Sequence, residues 1–355
     1  MKITIIIILF ITLSSCNNRR DKINRQSNFD YSGVESYFRL IESISVNGTF
    51  SESEWIDFLN VEGNRLYIEE NNIPEDYLDN IKENIIKVYA SKNFDDNEDI
   101  VYKIRNSFRK NDSIYREHLK FLKNNEQILL DSMIARTIKF LPDHRLLNDS
   151  LPKLYYHALD HDGSANGKGI FISIMAAHQN NSRRLSNFES HEFFHIQRPD
   201  ILEHVKIDSI DQGIIWALNA ILDEGIADMV DKDVMLADNS DWWLKEMVND
   251  FYVGKSKDVI SNFNTLIIDE TNGKHHSEND YREAFLGSVG HVPGYSMAKL
   301  ITDKGKSREM IDNADDPFSF FILYNDIASE NPEEYPHYDN VAMQYVKELA
   351  NKYGK

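Results

Sequence analysis

No segment constrains this chain more than His191, Glu192, Phe193, Phe194, His195. On an α-helix, residues four apart differ by only about 40° of rotation, so both imidazoles face one side and can meet a single ion. Zinc accepts such nitrogen donors at about 2.0 to 2.2 Å. Glu192 lies about a quarter-turn away, close enough to take a proton from water at the ion without being a ligand itself. A helix is the expected local structure, because Ser186 and Glu189 have capping-box spacing and Pro199 stops the run shortly after His195. With only one cysteine in 355 residues, the chain has no thiolate zinc site and no internal disulfide framework.

A catalytic zinc keeps three protein ligands and one open position. The next helical stretch, from about Gln212 to Lys232, contains Asp223, Glu224, Gly225, Ile226, Ala227 and Asp228. Glu224 and Asp228 are four apart and share a face, while Ile221, Leu222 and Ile226 serve packing. The layout assigns Glu224 as the third metal ligand and Asp228 as the acceptor of a ligating histidine's outer N–H. Gly225 costs a helix about 1 kcal/mol relative to Ala, and its missing side chain lets two helices approach closely around an ion.

Before this region the pattern is different. Met1 and Lys2 precede an apolar run from Ile3 to Leu13, then Ser14, Ser15 and Cys16. The run is shorter than the roughly 20 residues of a membrane span and reads as a secretory leader over 1–15. Leu13, Ser14, Ser15, Cys16 looks like a bacterial lipobox, which implies cleavage before Cys16 and a lipid on its sulfur. Residues 16–30 then form the lipidated cysteine and a polar tether. The 58 acidic against 39 basic residues give a net charge of −19, which leaves no basic stripe for nucleic acid.

Residues 31–150 read as a helical N-terminal region, with Leu78, Ile81, Ile85 and Val88 on one stripe after Pro74. Leu154–Leu159 and Ile170–Met175 are expected to form a strand pair around a turn-rich stretch, Asp160 to Gly169. That stretch is not a calcium loop, since Ala165 and Phe171 stand where Gly and Glu are needed. A catalytic core over 151–302 and a helical segment over 303–355 complete the organisation. Ala342, Val346, Leu349 and Tyr353 make the last apolar stripe.

The HExxH followed by ExxxD on a later helix resembles the gluzincin group of zinc metallopeptidases. Together with the lipobox, DEGIAD and the later GHVPGYSMAKLI, it is similar to a family of bacterial proteins described as zinc-dependent peptidases. The related metzincins carry a glycine and a third histidine where this chain has Arg198 and Ile201. The resemblance implies an α-rich α+β fold with a zincin-like core, Zn2+ held by His191, His195 and Glu224, and Glu192 as general base. The resemblance also implies that the strand Ile170–Met175, shortly before the motif helix, is a sheet edge able to pair with an extended peptide.

Hydrolysis also needs a donor for the tetrahedral oxyanion. Tyr295 is the first candidate and His291 the second, in the glycine-rich turn Gly290–Tyr295. His275 and His276 are expected in solvent, Pro199 leaves the direction of His204 open, and Trp242 and Trp243 are candidates for a pocket wall. The leading expectation is zinc-dependent peptide-bond hydrolysis by a lipoprotein facing the periplasm or the exterior. Asn17 after the cysteine favours the outer membrane, by resemblance to bacterial sorting signals. The alternatives are a non-catalytic binding or structural lipoprotein on a degenerate zincin fold, and a hydrolase of non-peptide amides.

Overall fold

The computed structural model describes residues 28–90, 99–143, 151–237 and 245–354. The leader, Cys16 and most of the tether, and also Trp242 and Trp243, lie outside the described residues. The fold is α-rich α+β: helices dominate, and one four-stranded sheet has the order β1-β2-β4-β3. Among the described residues no helix is long and apolar enough to cross a membrane.

The strands are β1 (Phe29–Asp30), β2 (Leu154–His157), β3 (Gly163–Asn166) and β4 (Gly169–Ser173). β2 runs parallel to both β1 and β4, with Tyr155 opposite Phe171 and their rings stacked 5.2 Å apart. Every residue of β2 and β4 is buried, which is why both segments are apolar runs without strict alternation. The expected strand pair is present, but the stretch between them is not only turn. Gly163–Asn166 folds back antiparallel on β4 as the half-exposed edge strand, so the strand expected at the edge, Ile170–Met175, is instead paired on both sides, between β2 and β3. Small and polar residues suit an edge, and that composition hid the strand. Phe29 and Asp30, placed in the tether from their position, also belong to the sheet.

Two apolar cores meet along the motif helix, Asn187–Gln197. The first joins the N-terminal helices to the sheet and takes in Tyr37, Phe58, Phe108, Phe171, Phe188 and Phe193. The second gathers Phe194, Leu218, Ile221, Met297, Phe321 and Val346. Neighbouring helical positions point about 100° apart, so Phe193 and Phe194 enter different cores and clamp the helix between them. Buried Arg105 ties the first core to the end of β2, donating to the carbonyls of Ala158 (2.6 Å) and Leu159 (2.7 Å). The second core runs continuously through position 302, with Met310, Phe318 and Tyr324 in the same cluster as Leu218. Ile81, Ile85 and Val88 are buried as their spacing predicts, and so are Ala342, Val346, Leu349 and Tyr353.

The motif helix starts without the capping box. Ser186 has a positive φ of 52°, and its hydroxyl donates to the Leu129 carbonyl at 2.7 Å. Glu189 instead turns inward, accepting from Tyr156 Oη and Asn181 Nδ2, both at 3.0 Å. Tertiary partners for both side chains displaced the local bond.

Candidate metal centre

Three elements build the site: the motif helix, the helix Gln212–Met235 and the start of the helix His291–Asp303. Gly225 lets the second and third touch backbone to backbone. A Cβ there would lie 2.6 Å from the Gly294 carbonyl oxygen. The close approach inferred from the glycine is therefore real, and its partner is a second glycine.

His191 and His195 are nearly buried, and their Nε2 atoms face each other at 3.3 Å. Glu224 Oε2 lies 3.4 Å from His195 Nε2 and 3.8 Å from His191 Nε2. Two donors bound at about 2.1 Å in a tetrahedral arrangement stand about 3.4 Å apart, so these spacings match a shared ion. Glu224 Oε2 is also a buried oxygen that accepts no hydrogen bond from the protein. A buried carboxylate oxygen without a donor is costly, and a cation at this point would remove that cost. The donor set of two imidazoles and one carboxylate fits zinc.

Each histidine is oriented from behind. A carboxylate accepts only, so Asp231 Oδ1 at 3.0 Å fixes the proton of His191 on Nδ1 and leaves the Nε2 lone pair for an ion. Asp223 Oδ2 does the same for His195 Nδ1 at 3.1 Å. The carboxylate behind His191 is thus Asp231 and not Asp228, whose nearest oxygen is 3.8 Å from that nitrogen. Asp228 instead accepts from His291 Nδ1 at 3.1 Å and pairs with Lys232 at 3.0 Å. One further helical step past Asp228 carries Asp231 round to the ring. The signal lay in the sequence, since Glu224, Asp228 and Asp231 form one i, i+4, i+7 stripe.

Arg198, at the position where metzincins have glycine, has a role of its own. Its Nε makes an ion pair with Asp223 at 2.7 Å, and its Nη2 donates to Asn219 Oδ1 at 3.1 Å. Burial lowers the tendency of His195 to hold a proton, but Asp223 and Glu224 outweigh it and raise its pKa to about 10. Burial raises the Glu192 pKa to about 7, against the pull of His191 and His195. The anionic environment that retains a proton on His195 is one that favours a cation in its place.

His291 stands beside the cluster, its Nδ1 3.2 Å from Glu224 Oε2 and its ring stacked 6.0 Å from that of His191. Burial opposes its protonation, yet Glu224 and Asp228 bring its pKa to about 9. Tyr295, one turn on, is buried in a small apolar group with Val248 and Tyr252. Of the two candidate donors, His291 is the one in contact with Glu224. His204 is exposed and stands outside the metal-capable groups. His275 is exposed as expected, whereas the His276 side chain is only 9% exposed, held by Asp269 at 3.2 Å and packed on Tyr281.

Residues 55–333, well over half of the chain, match the family model described as "Putative zinc dependent peptidase (DUF5700)". The chain belongs to this family. The DUF5700 match takes in parts of both cores, much of the helical region before the sheet and every residue of the candidate metal centre. No curated protein matches the chain, and no solved structure does.

Proposed function

We propose that this DUF5700 protein is a gluzincin-type zinc peptidase with a zincin-like core, in which His191, His195 and Glu224 hold the metal. The observation that carries the reading is the mutual approach of three ligand atoms, His191 Nε2, His195 Nε2 and Glu224 Oε2, at 3.3, 3.4 and 3.8 Å, the last of them a buried oxygen that no protein donor satisfies. The ion, when bound, supplies Lewis-acid polarisation of the scissile carbonyl and of water. Glu192, 5% exposed and with its pKa raised by burial to about 7, takes as carboxylate the proton of the attacking water and passes it to the leaving amine nitrogen. Asp231 and Asp223 keep the two imidazoles in the ligating tautomer. His291, with Nδ1 engaged by Asp228, presents Nε2–H to the tetrahedral oxyanion, and Tyr295 packs on Tyr252, whose ring adjoins His291.

The substrate is an extended peptide. β3 is an edge strand, and it lies directly on the motif helix, where a Cβ at Gly163 would sit 2.7 Å from the Phe188 ring. Such an edge offers unpaired backbone groups to a peptide strand beside the catalytic residues. The protein acts outside the cytoplasm, anchored by a lipid on Cys16.

The deciding experiment is the zinc content of the purified protein beside His191→Ala, followed by a peptide library. About one zinc per chain, lost in the variant, with cleavage of peptides, supports the proposal. Zinc without peptide cleavage but with release of amine from non-peptide amides would replace it with the amidase reading. No zinc in the native protein after metal is supplied would replace it with the binding-protein reading. The anchor is tested separately by labelling with a fatty-acid analogue, which Cys16→Ala should abolish.

A further inference from the structure

The buried face of the helix Gln212–Met235 carries the acidic stripe Glu224, Asp228 and Asp231, and the last two are 0% exposed. Two enclosed carboxylates this close repel each other and require compensation. One side chain answers both. Lys232, itself 5% exposed, places Nζ 3.0 Å from Asp228 Oδ1 and 3.1 and 3.0 Å from the two oxygens of Asp231. The same carboxylates hold imidazoles on their other sides: Asp231 takes His191, and Asp228 takes His291. The Tyr252 ring, 5.7 Å from Nζ, closes the remaining side.

Resting on the zinc site proposed above, the geometry points to Lys232 as the positioning residue of the metal centre. By engaging both oxygens of Asp231 it fixes that carboxylate's rotation. Asp231 in turn holds the His191 ring with Nε2 aimed at the point shared with His195 and Glu224. A charge placed anywhere nearby would balance the acids, but only a donor at this position locks Asp231 and Asp228 together. The second ligand has the same order of parts: Arg198 pairs with Asp223, and Asp223 holds His195. Both ligating histidines are therefore backed by an aspartate that a buried cation immobilises.

The test compares the full-length protein with Lys232→Met, Asp228→Asn and the double variant Asp228→Asn/Lys232→Met. Zinc affinity is read by competition with a chromophoric chelator, and ligand geometry by the visible absorption of the Co2+-loaded form. Urea melts of the metal-free proteins report folding. Lys232→Met should weaken zinc binding about 10- to 100-fold and alter the Co2+ bands, as expected when the partner behind a ligand is lost. The double variant preserves the summed charge of the cluster and keeps the test valid if the single variant does not fold. It should still bind zinc more weakly than Asp228→Asn alone. Affinity equal to or tighter than that of Asp228→Asn, with an unchanged spectrum, would show that Lys232 only balances charge, and would overturn the positioning role while the zinc site stands. Failure of the native protein to bind either metal would overturn the zinc site and this inference together.

Discussion

Replacing Gly225 by Ala sets two forces of opposite sign against each other. Helix propensity alone favours Ala by about 1 kcal/mol, so an isolated helix would gain stability. In the folded protein the new Cβ would meet the Gly294 carbonyl oxygen at 2.6 Å, its carbonyl carbon at 2.8 Å and its Cα at 2.9 Å. Ordinary contact begins near about 3.5 Å, so the two helices must part by about 0.6 to 0.9 Å. All three obstacles are backbone, and no rotamer change relieves them. Overpacking of this kind costs about 1 to 3 kcal/mol, and rigid neighbours place this site at the upper end. Less the propensity gain, the expected net loss is about 2 kcal/mol. Urea denaturation of the metal-free protein should show the midpoint falling with an unchanged slope. Because the same crossing sets His291 against Glu224 at 3.2 Å, zinc affinity should fall as well. A variant as stable as the native protein, or more so, would refute the argument that backbone contact at this crossing governs the choice of glycine.

Three further outcomes are expected. Glu192→Gln should retain zinc while peptide hydrolysis drops by about 10²- to 10⁴-fold, measured as kcat at saturating substrate; full activity would remove Glu192 as the base. Glu224→Gln should lower zinc affinity by at least about tenfold in chelator competition, and unchanged affinity would place the third ligand elsewhere. Asp211 stands at the start of the helix that carries Glu224, away from the metal-capable groups. Burial works against its ionisation, but hydrogen bonds from Lys352 and Tyr353, at 2.7 and 2.6 Å, hold its pKa below the ordinary 3.8. A lowered carboxylate pKa stabilises the fold above the unfolded value, and that contribution is lost as pH falls through the folded one. Asp211→Asn should therefore cost about 1 to 3 kcal/mol at neutral pH and flatten the decline of stability below about pH 4, followed by urea melts across pH.

The residues of the candidate metal centre were legible because they recur at helical spacing. His191 and His195 on one helix, and Glu224 with Asp228 on another, share faces by arithmetic that needs no tertiary information. Where that arithmetic stopped short was in choosing partners. Asp228 and Asp231 lie on the same stripe, and only the crossing of the two helices decides which of them reaches His191 Nδ1. Arg198, Lys232 and Asp223 looked like ordinary charged residues of an acidic chain. Their role comes from being buried together at distances of 2.7 to 3.1 Å, and burial is not written in spacing. The edge strand Gly163–Asn166 was hidden for a related reason: half-exposed strands of small residues have the composition of turns, and only pairing with β4 distinguishes them.

Consecutive residues were enough to specify the helical character of the chain, the apolar stripes at 81–88 and 342–353, and two helical faces bearing candidate metal ligands, with a glycine beside one of them. Local periodicity is a property of consecutive residues, so it survives without the rest of the fold. Assembly of the fold was needed to send Phe193 and Phe194 into separate cores, to set Gly225 against Gly294, to draw Ser186 and Glu189 out of their cap, and to bring His291 to the candidate metal centre. Each of these is a contact between segments distant along the chain or a choice between local and distant partners. Such choices are settled by the burial and Coulomb energies of the assembled protein.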